Sequence, residues 1–175
     1  MERYDVHAAR GEWAATIALR EWVRPNNRGN ELHGGEILIN SDWGGPYAYS
    51  WGNMGSPLKQ FLCQISRDYI ITKLTNGNDT EFDFDASLAA VKKEILRMRK
   101  ERELSHFQAR MAMDDIPSED EGQDQFIRRL WDMEAFRNGD PPTEFVKERE
   151  CPQITGFYKN VWIPFTDHLR TELAS

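Results

Sequence analysis

The stretch from Glu36 to Leu74, EILINSDWGGPYAYSWGNMGSPLKQFLCQISRDYIITKL, constrains the fold more than any other part of the chain. Ile37, Leu38 and Ile39 form a short apolar run of strand-forming residues, and Gly44-Gly45-Pro46 ends it with turn formers. Tyr47, Tyr49 and Trp51 then alternate with Ala48, Ser50 and Gly52, so a strand here carries one aromatic face and one nearly bare face. Ser56 and Pro57 follow as a cap and a first-position proline. Leu58, Phe61, Leu62, Ile65 and Tyr69 fall on one helical stripe. The expected unit is strand, turn, strand, helix, with the helix lying across the bare face or large side chains filling it. Aromatic stripes at strand spacing are more often core than surface, so burial of Tyr47, Tyr49 and Trp51 is favoured over an open stacking platform.

The flanking sequence extends this unit in both directions. Between Glu12 and Val23, Trp13, Ala15, Ile17 and Leu19 alternate with Glu12, Ala14, Thr16, Ala18 and Arg20, which predicts a strand with one large-residue and one small-residue face, a short helix being the competing reading since Ala and Leu also favour helices. Arg24 to Gly35 is rich in Pro, Asn and Gly and reads as a mobile loop. Three antiparallel strands result: Glu12–Trp22, Glu36–Ser41 and Tyr47–Gly52. Further on, Asp85 is placed to cap a helix starting at Ala86, whose stripe is Leu88, Val91, Ile95 and Met98. Ser105 and Gln108 have capping-box spacing and predict a short helix carrying Phe107, Met111 and Met113 inward, closed by Pro117. Ser118–Glu121 is a second capping-box candidate before Phe126, Ile127, Leu130, Trp131 and Phe136, with a break at Asn138-Gly139-Asp140-Pro141-Pro142. Trp162, Phe165, Leu169 and Leu173 form the last stripe, which Pro164 kinks or restarts. The expected architecture is a single α+β domain over 1–175, with strands at about 12–52 and helices at about 57–173. In it, an N-terminal three-stranded antiparallel sheet packs against several C-terminal amphipathic helices.

Charge and cysteine usage narrow the function. Twenty-nine acidic against 22 basic residues give a formal charge of −7, which argues against a surface built throughout to grip nucleic acid. Direct nucleic-acid binding is the weakest reading; it would combine Tyr47, Tyr49 and Trp51 with Lys92, Arg99 and Arg102 on the basic stretch before Arg110. Asp114, Asp115, Glu119, Asp120, Glu121 and Asp124 follow with no basic residue among them. No apolar run is long enough to span a membrane, and MERYDVHAARGEW lacks the build of a signal peptide, so a cytoplasmic protein is expected. Cys63 and Cys151 are far apart and have no CxxC spacing, which favours two reduced thiols.

Catalytic chemistry has one candidate. If Asp79 to Asp85 is extended, Asp79, Glu81, Asp83 and Asp85 share an edge and could hold Mg²⁺ or Ca²⁺, as in a metal-dependent nucleic-acid-processing enzyme. Helix capping explains the same acids, and no second acidic motif completes a metal site. The glycine pairs lack phosphate-loop spacing, and His7, His33, His106 and His168 are not spaced as ligands on one element. His33, in the predicted loop, is the best-placed proton-transfer group. No cofactor and no catalytic residue are assigned.

Three blocks carry a resemblance: ILINSDWGGPYAYSWGNMGSPLKQFL, FDFDASLAAVKKEI and PQITGFYKNVWIPFTDHLRTEL. In that order they resemble a group of small proteins encoded by tailed bacteriophages and prophages, over most of the chain from about residue 12. The resemblance implies a phage gene product acting inside the bacterial cell. Small non-virion phage proteins often modulate or block host machinery, CRISPR and other defence systems included. The expected partner is thus a host or defence protein or nucleoprotein complex. The expected contacts are Asp42 and Trp43 in the Ser41–Pro46 turn together with Asp114 to Asp124, where carboxylates can imitate phosphates in a basic channel.

Overall fold

The structure, a computed structural model, describes residues 1–8, 11–25, 27–120, 122–137 and 142–175. They pack as two compact units with separate hydrophobic cores. Unit 1 comprises Met1–Asp79 and Glu150–Ser175, and unit 2 comprises Thr80–Arg149.

Unit 1 holds an α+β core whose sheet has four strands, one more than the sequence predicts. β1 (Glu2–His7), β2 (Trp13–Pro25), β3 (Glu31–Ser41) and β4 (Tyr47–Trp51) are neighbours in that order, each pair antiparallel. The additional strand is β1, where the charges of Glu2, Arg3 and Asp5 mask the alternation of Tyr4 and Val6, which face Ile17 and Ala15. Beyond Val6 the register shifts: His7 faces Trp13, and Ala14 is the extra residue of a bulge. Trp13 therefore leaves the face of Ala15, Ile17 and Leu19, and its indole N–H donates to Thr16 Oγ1 at 3.3 Å.

Most of the predicted loop is strand. Gly34 and Gly35 lie within β3 because side chains press on them, not because the chain turns there. A Cβ at Gly34 would sit 2.1 Å from Trp22 Nε1, and one at Gly35 would sit 2.9 Å from Leu58 Cδ2. His33 is consequently a strand residue, with Nδ1 3.8 Å from the Glu21 carboxylate.

The helices of unit 1 cover the aromatic face of β4, whose burial the sequence favours, whereas the bare face with Ala48 and Ser50, which the sequence expects to be covered, stays exposed. Covering the rings removes far more apolar surface from water. Tyr47 and Trp51 are buried and Tyr49 is half-buried. Trp51 donates to the Tyr69 hydroxyl at 3.0 Å and meets Phe61 edge-on at 5.4 Å, and Tyr47 meets Phe157 at 4.8 Å. The helix expected after Ser56 is two: α1 (Leu58–Gln64) and α2 (Arg67–Thr75), the second capped by Ser66 accepting from the Tyr69 amide at 3.2 Å. Ser56 does not cap α1; the Leu58 amide donates to Glu21 of β2 at 3.1 Å instead.

Three segments close the unit: α6 (Pro152–Phe157), a π turn (Tyr158–Trp162) and α7 (Ile163–Leu173). Pro164 marks the predicted restart. The wide turn before it relieves the collision between a helical proline ring and the carbonyl four residues back, and Asn160 Nδ2 donates to the Gly156 carbonyl at 3.0 Å.

Unit 2 begins and ends in a two-stranded sheet, β5 (Thr80–Phe82) with β6 (Glu148–Glu150), the last residue of which already belongs to unit 1. α3 (Phe84–Lys100) is capped by Asp83, which accepts from the Ala86 amide at 2.9 Å, two residues before the expected Asp85. Val91 and Ile95 are fully buried, as their stripe predicts. α4 (His106–Asp115) starts with the predicted Ser105–Gln108 capping box. α5 (Gln123–Asp132) starts after Gly122 with no side-chain cap, later than the Ser118–Glu121 box predicts; Glu121 lies outside the described residues, as do 138–141 of the predicted break. Phe126, Leu130 and Phe136 are buried as predicted, whereas Trp131 is exposed.

Candidate functional site

Helix α4 departs most from what its sequence predicts. Phe107 and Met111 were expected inward, but Ala109 and Ala112 fill that position and Phe107 is 72% exposed, with Met111 46% exposed. Small inward residues let α4 approach α3 closely, which leaves no room for the large ones on that side. Phe107 and Met111, one turn apart, form an apolar ridge along a cavity of about 470 Å³. Met98, Leu104, Ala112, Met133 and Ala135 line the rest of its apolar surface.

The charged residues lining this groove are all acidic: Glu103, Asp115 and Glu134. Glu103 is held by Arg97 at 3.1 Å, and Arg97 also binds Glu94 and Glu101. The hydrogen bond to Arg97 holds the Glu94 carboxyl below its ordinary range. Asp115 and Glu134 make no ion pair among the described residues. Asp114 and Asp115 also occupy the last turn of α4, where the helix carbonyls disfavour negative charge by about 0.3–1 kcal/mol per group. They cost the helix stability.

The other predicted acids continue from there. Glu119 and Asp120 are exposed in the segment leading to α5, where Asp120 accepts from the Gly122 amide at 3.0 Å. Asp124 lies in the first turn of α5, a favourable place for a carboxylate. Asp42 and Trp43 belong to unit 1. Asp42 is exposed, but the Trp43 ring packs on α6 so closely that a Cβ at Gly156 would come within 2.0 Å of it.

Two of the acids from Asp79 to Asp85 have side-chain partners, and Asp79 is tied down through its backbone. Glu81 pairs with Arg149 at 2.9 Å, Asp83 caps α3, Asp85 is exposed in the first turn of α3, and the Asp79 carbonyl accepts from the Cys151 amide at 3.0 Å. Among the described residues no group of three or more His, Cys, Asp or Glu side chains is arranged to hold a metal ion. Tyr47, Tyr49 and Trp51 face the helices of unit 1, whereas Lys92 and Arg102 are exposed and Arg99 half-buried in unit 2. Cys63 and Cys151 are free and half-buried, and burial pushes the Cys63 thiol up.

One polar cluster had no sequence signal. Lys59 of α1 lies 2.5 Å from both Glu2 of β1 and Glu172 of α7, and the Tyr4 hydroxyl donates to Glu2 at 2.8 Å and Glu172 at 3.1 Å. Burial alone would pull the Lys59 ammonium down; its bonds to Glu172 and Glu2 outweigh that and hold it above its ordinary range. Burial pushes the Tyr4 hydroxyl up to about 12. Beside the cluster a second cavity, of about 340 Å³, is lined by residues of β1 and α7. Its members are far apart in sequence, which is why no local pattern announces them.

A family model described as a phage family, Phage_phiTE_072, matches residues 7–169. The chain belongs to this phage family. The match runs through both units of the phage protein, so the groove on α4 lies inside the family's extent. Among curated proteins and solved structures nothing matches. Among the described residues no helix is long and apolar enough to cross a membrane.

Proposed function

We propose that this phage protein is a non-catalytic binding protein of the infected cell's cytoplasm, which engages a host or defence complex, a CRISPR complex for example, and inhibits or modulates it. The observation that carries the reading is the pairing of outward Phe107 and Met111 with the acids Asp114 and Asp115 at the end of the same helix. Both features cost a free protein something: apolar side chains stay in water, and carboxylates sit against the helix dipole. A bound partner of opposite charge turns both into gains. Phage family membership and the charge of −7 support the same reading.

The test is affinity capture from the bacterial host, comparing the natural chain with one in which Asp114, Asp115, Glu119, Asp120 and Asp124 become Asn or Gln. The expected outcome is one host complex retained by the natural chain, inhibited by it in a purified assay, and lost with the neutralised chain. Retention and inhibition by both chains alike would remove the acidic segment from the reading. Absence of any retained complex would remove the reading itself.

A further inference from the structure

The α4 groove also defines the chemistry of its occupant. Its walls are side chains of α3 and α4, the connecting residues Glu103, Leu104 and Met133, and the 3-10 turn Glu134–Phe136, with no strand edge among its lining residues to offer backbone hydrogen bonds, so an added strand has nothing to pair with. Its ridge, Phe107 and Met111 at i and i+4, matches the spacing at which one helix receives the side chains of another. The methionines Met98, Met111 and Met133 supply a deformable apolar lining that adapts to differently shaped side chains. The charged lining residues Glu103, Asp115 and Glu134 repel anionic lipid and nucleic acid alike and complement lysine or arginine.

We infer that the groove formed by α3, α4 and the Glu134–Phe136 turn receives a basic amphipathic helix of the partner protein, whose apolar stripe packs on Phe107 and Met111 while its Lys or Arg residues face Asp115 and Glu134. This rests on the binding-protein reading above and adds the partner's secondary structure and charge. Asp115 and Glu134 act mainly on association rate and salt sensitivity, and the apolar ridge on dissociation.

The probe is a fluorescent synthetic helix of Leu and Lys, with Leu at i, i+3, i+4 and i+7, followed by anisotropy with the full chain. The expected results are saturable binding at low salt, weakened at least about tenfold by F107A/M111A and a few-fold by D115N/E134Q, the latter with a smaller salt dependence. A Leu/Glu helix of the same pattern is expected not to bind. Absence of Leu/Lys binding, binding unchanged in F107A/M111A, or equal binding of the Leu/Glu helix would each overturn the assignment. So would a concentration-dependent dimer of the natural chain that F107A/M111A dissolves, since a second copy would then occupy the groove. A chain that inhibits its host complex but ignores the Leu/Lys helix overturns the groove assignment alone. One that binds the helix but has no host complex overturns the wider reading alone.

Discussion

The aromatic strand of unit 1 and helix α4 of unit 2 carry comparable apolar side chains and dispose of them in opposite ways. On β4, Tyr47 and Trp51 turn toward the helices and the small residues turn to water. On α4, the alanines turn inward and Phe107 and Met111 turn outward. Apolar periodicity therefore locates an amphipathic element, but which side is buried depends on how closely the neighbouring element approaches. An alanine pair that permits close helix packing can displace a larger pair from the core. The large residues left outside are then the ones free to meet something else.

The largest expected effect breaks or confirms this contrast directly. Trp51→Ala should cost about 3–5 kcal/mol in urea unfolding, because a buried ring and its bond to Tyr69 are lost. Phe107→Ala should change stability by less than about 0.5 kcal/mol, because the side chain is already in water. Similar costs for the two would place Phe107 in the core and remove the contrast.

A smaller effect separates glycines held by packing from those that are not. Gly156→Ala should destabilise by about 1–3 kcal/mol, since its Cβ would meet the Trp43 ring at 2.0 Å. Gly52→Ala, with nothing within 4 Å, should be close to neutral in the same melt. Equal effects at both positions would mean that Trp43 does not rest on α6.

The smallest effect concerns pH. Glu2 and Glu172 are held below the ordinary carboxyl range, chiefly by hydrogen bonds from Lys59. Their folded pKa values are lower than the unfolded ones, so they add stability above the ordinary glutamate range. That stability fades as the pH falls through the depressed values. Tyr4 has the opposite sign: burial raises it to about 12, so its contribution holds below its ordinary value of 10.0 and fades as the pH rises toward 12. Thermal melts across the acidic range should show a shallower loss for Lys59→Met than for the natural chain, and phenolate absorbance should include a late-titrating component from Tyr4 and from Tyr47, which burial also raises. An unchanged acid slope in Lys59→Met would show that the cluster does not couple β1, α1 and α7.

How much of this was legible in the sequence follows from the range of the interactions. The Ser105–Gln108 capping box, the Val91–Ile95 stripe and the restart at Pro164 are local, and each was readable. The cap on α1 was not, because Glu21 reaches it from 37 residues away. β1 was hidden by its charges, and Gly34 and Gly35 imitated a loop because their neighbours, Trp22 and Leu58, lie on other elements. At the candidate site the acidic residues were visible as a run, whereas the outward Phe107 and Met111 were not. Their exposure depends on Ala109 and Ala112 meeting the core of unit 2.

The carbonyl of Asp79, where the chain leaves unit 1, accepts from the amide of Cys151, just past the point where it returns, at 3.0 Å. Departure and return thus share one peptide-to-peptide contact, and everything between them is a cassette inserted into unit 1. Helices can lengthen, shorten or be exchanged inside the cassette while that junction keeps its geometry. A change of length or sequence inside the cassette then leaves the chain path of the sheet and its aromatic face as it was.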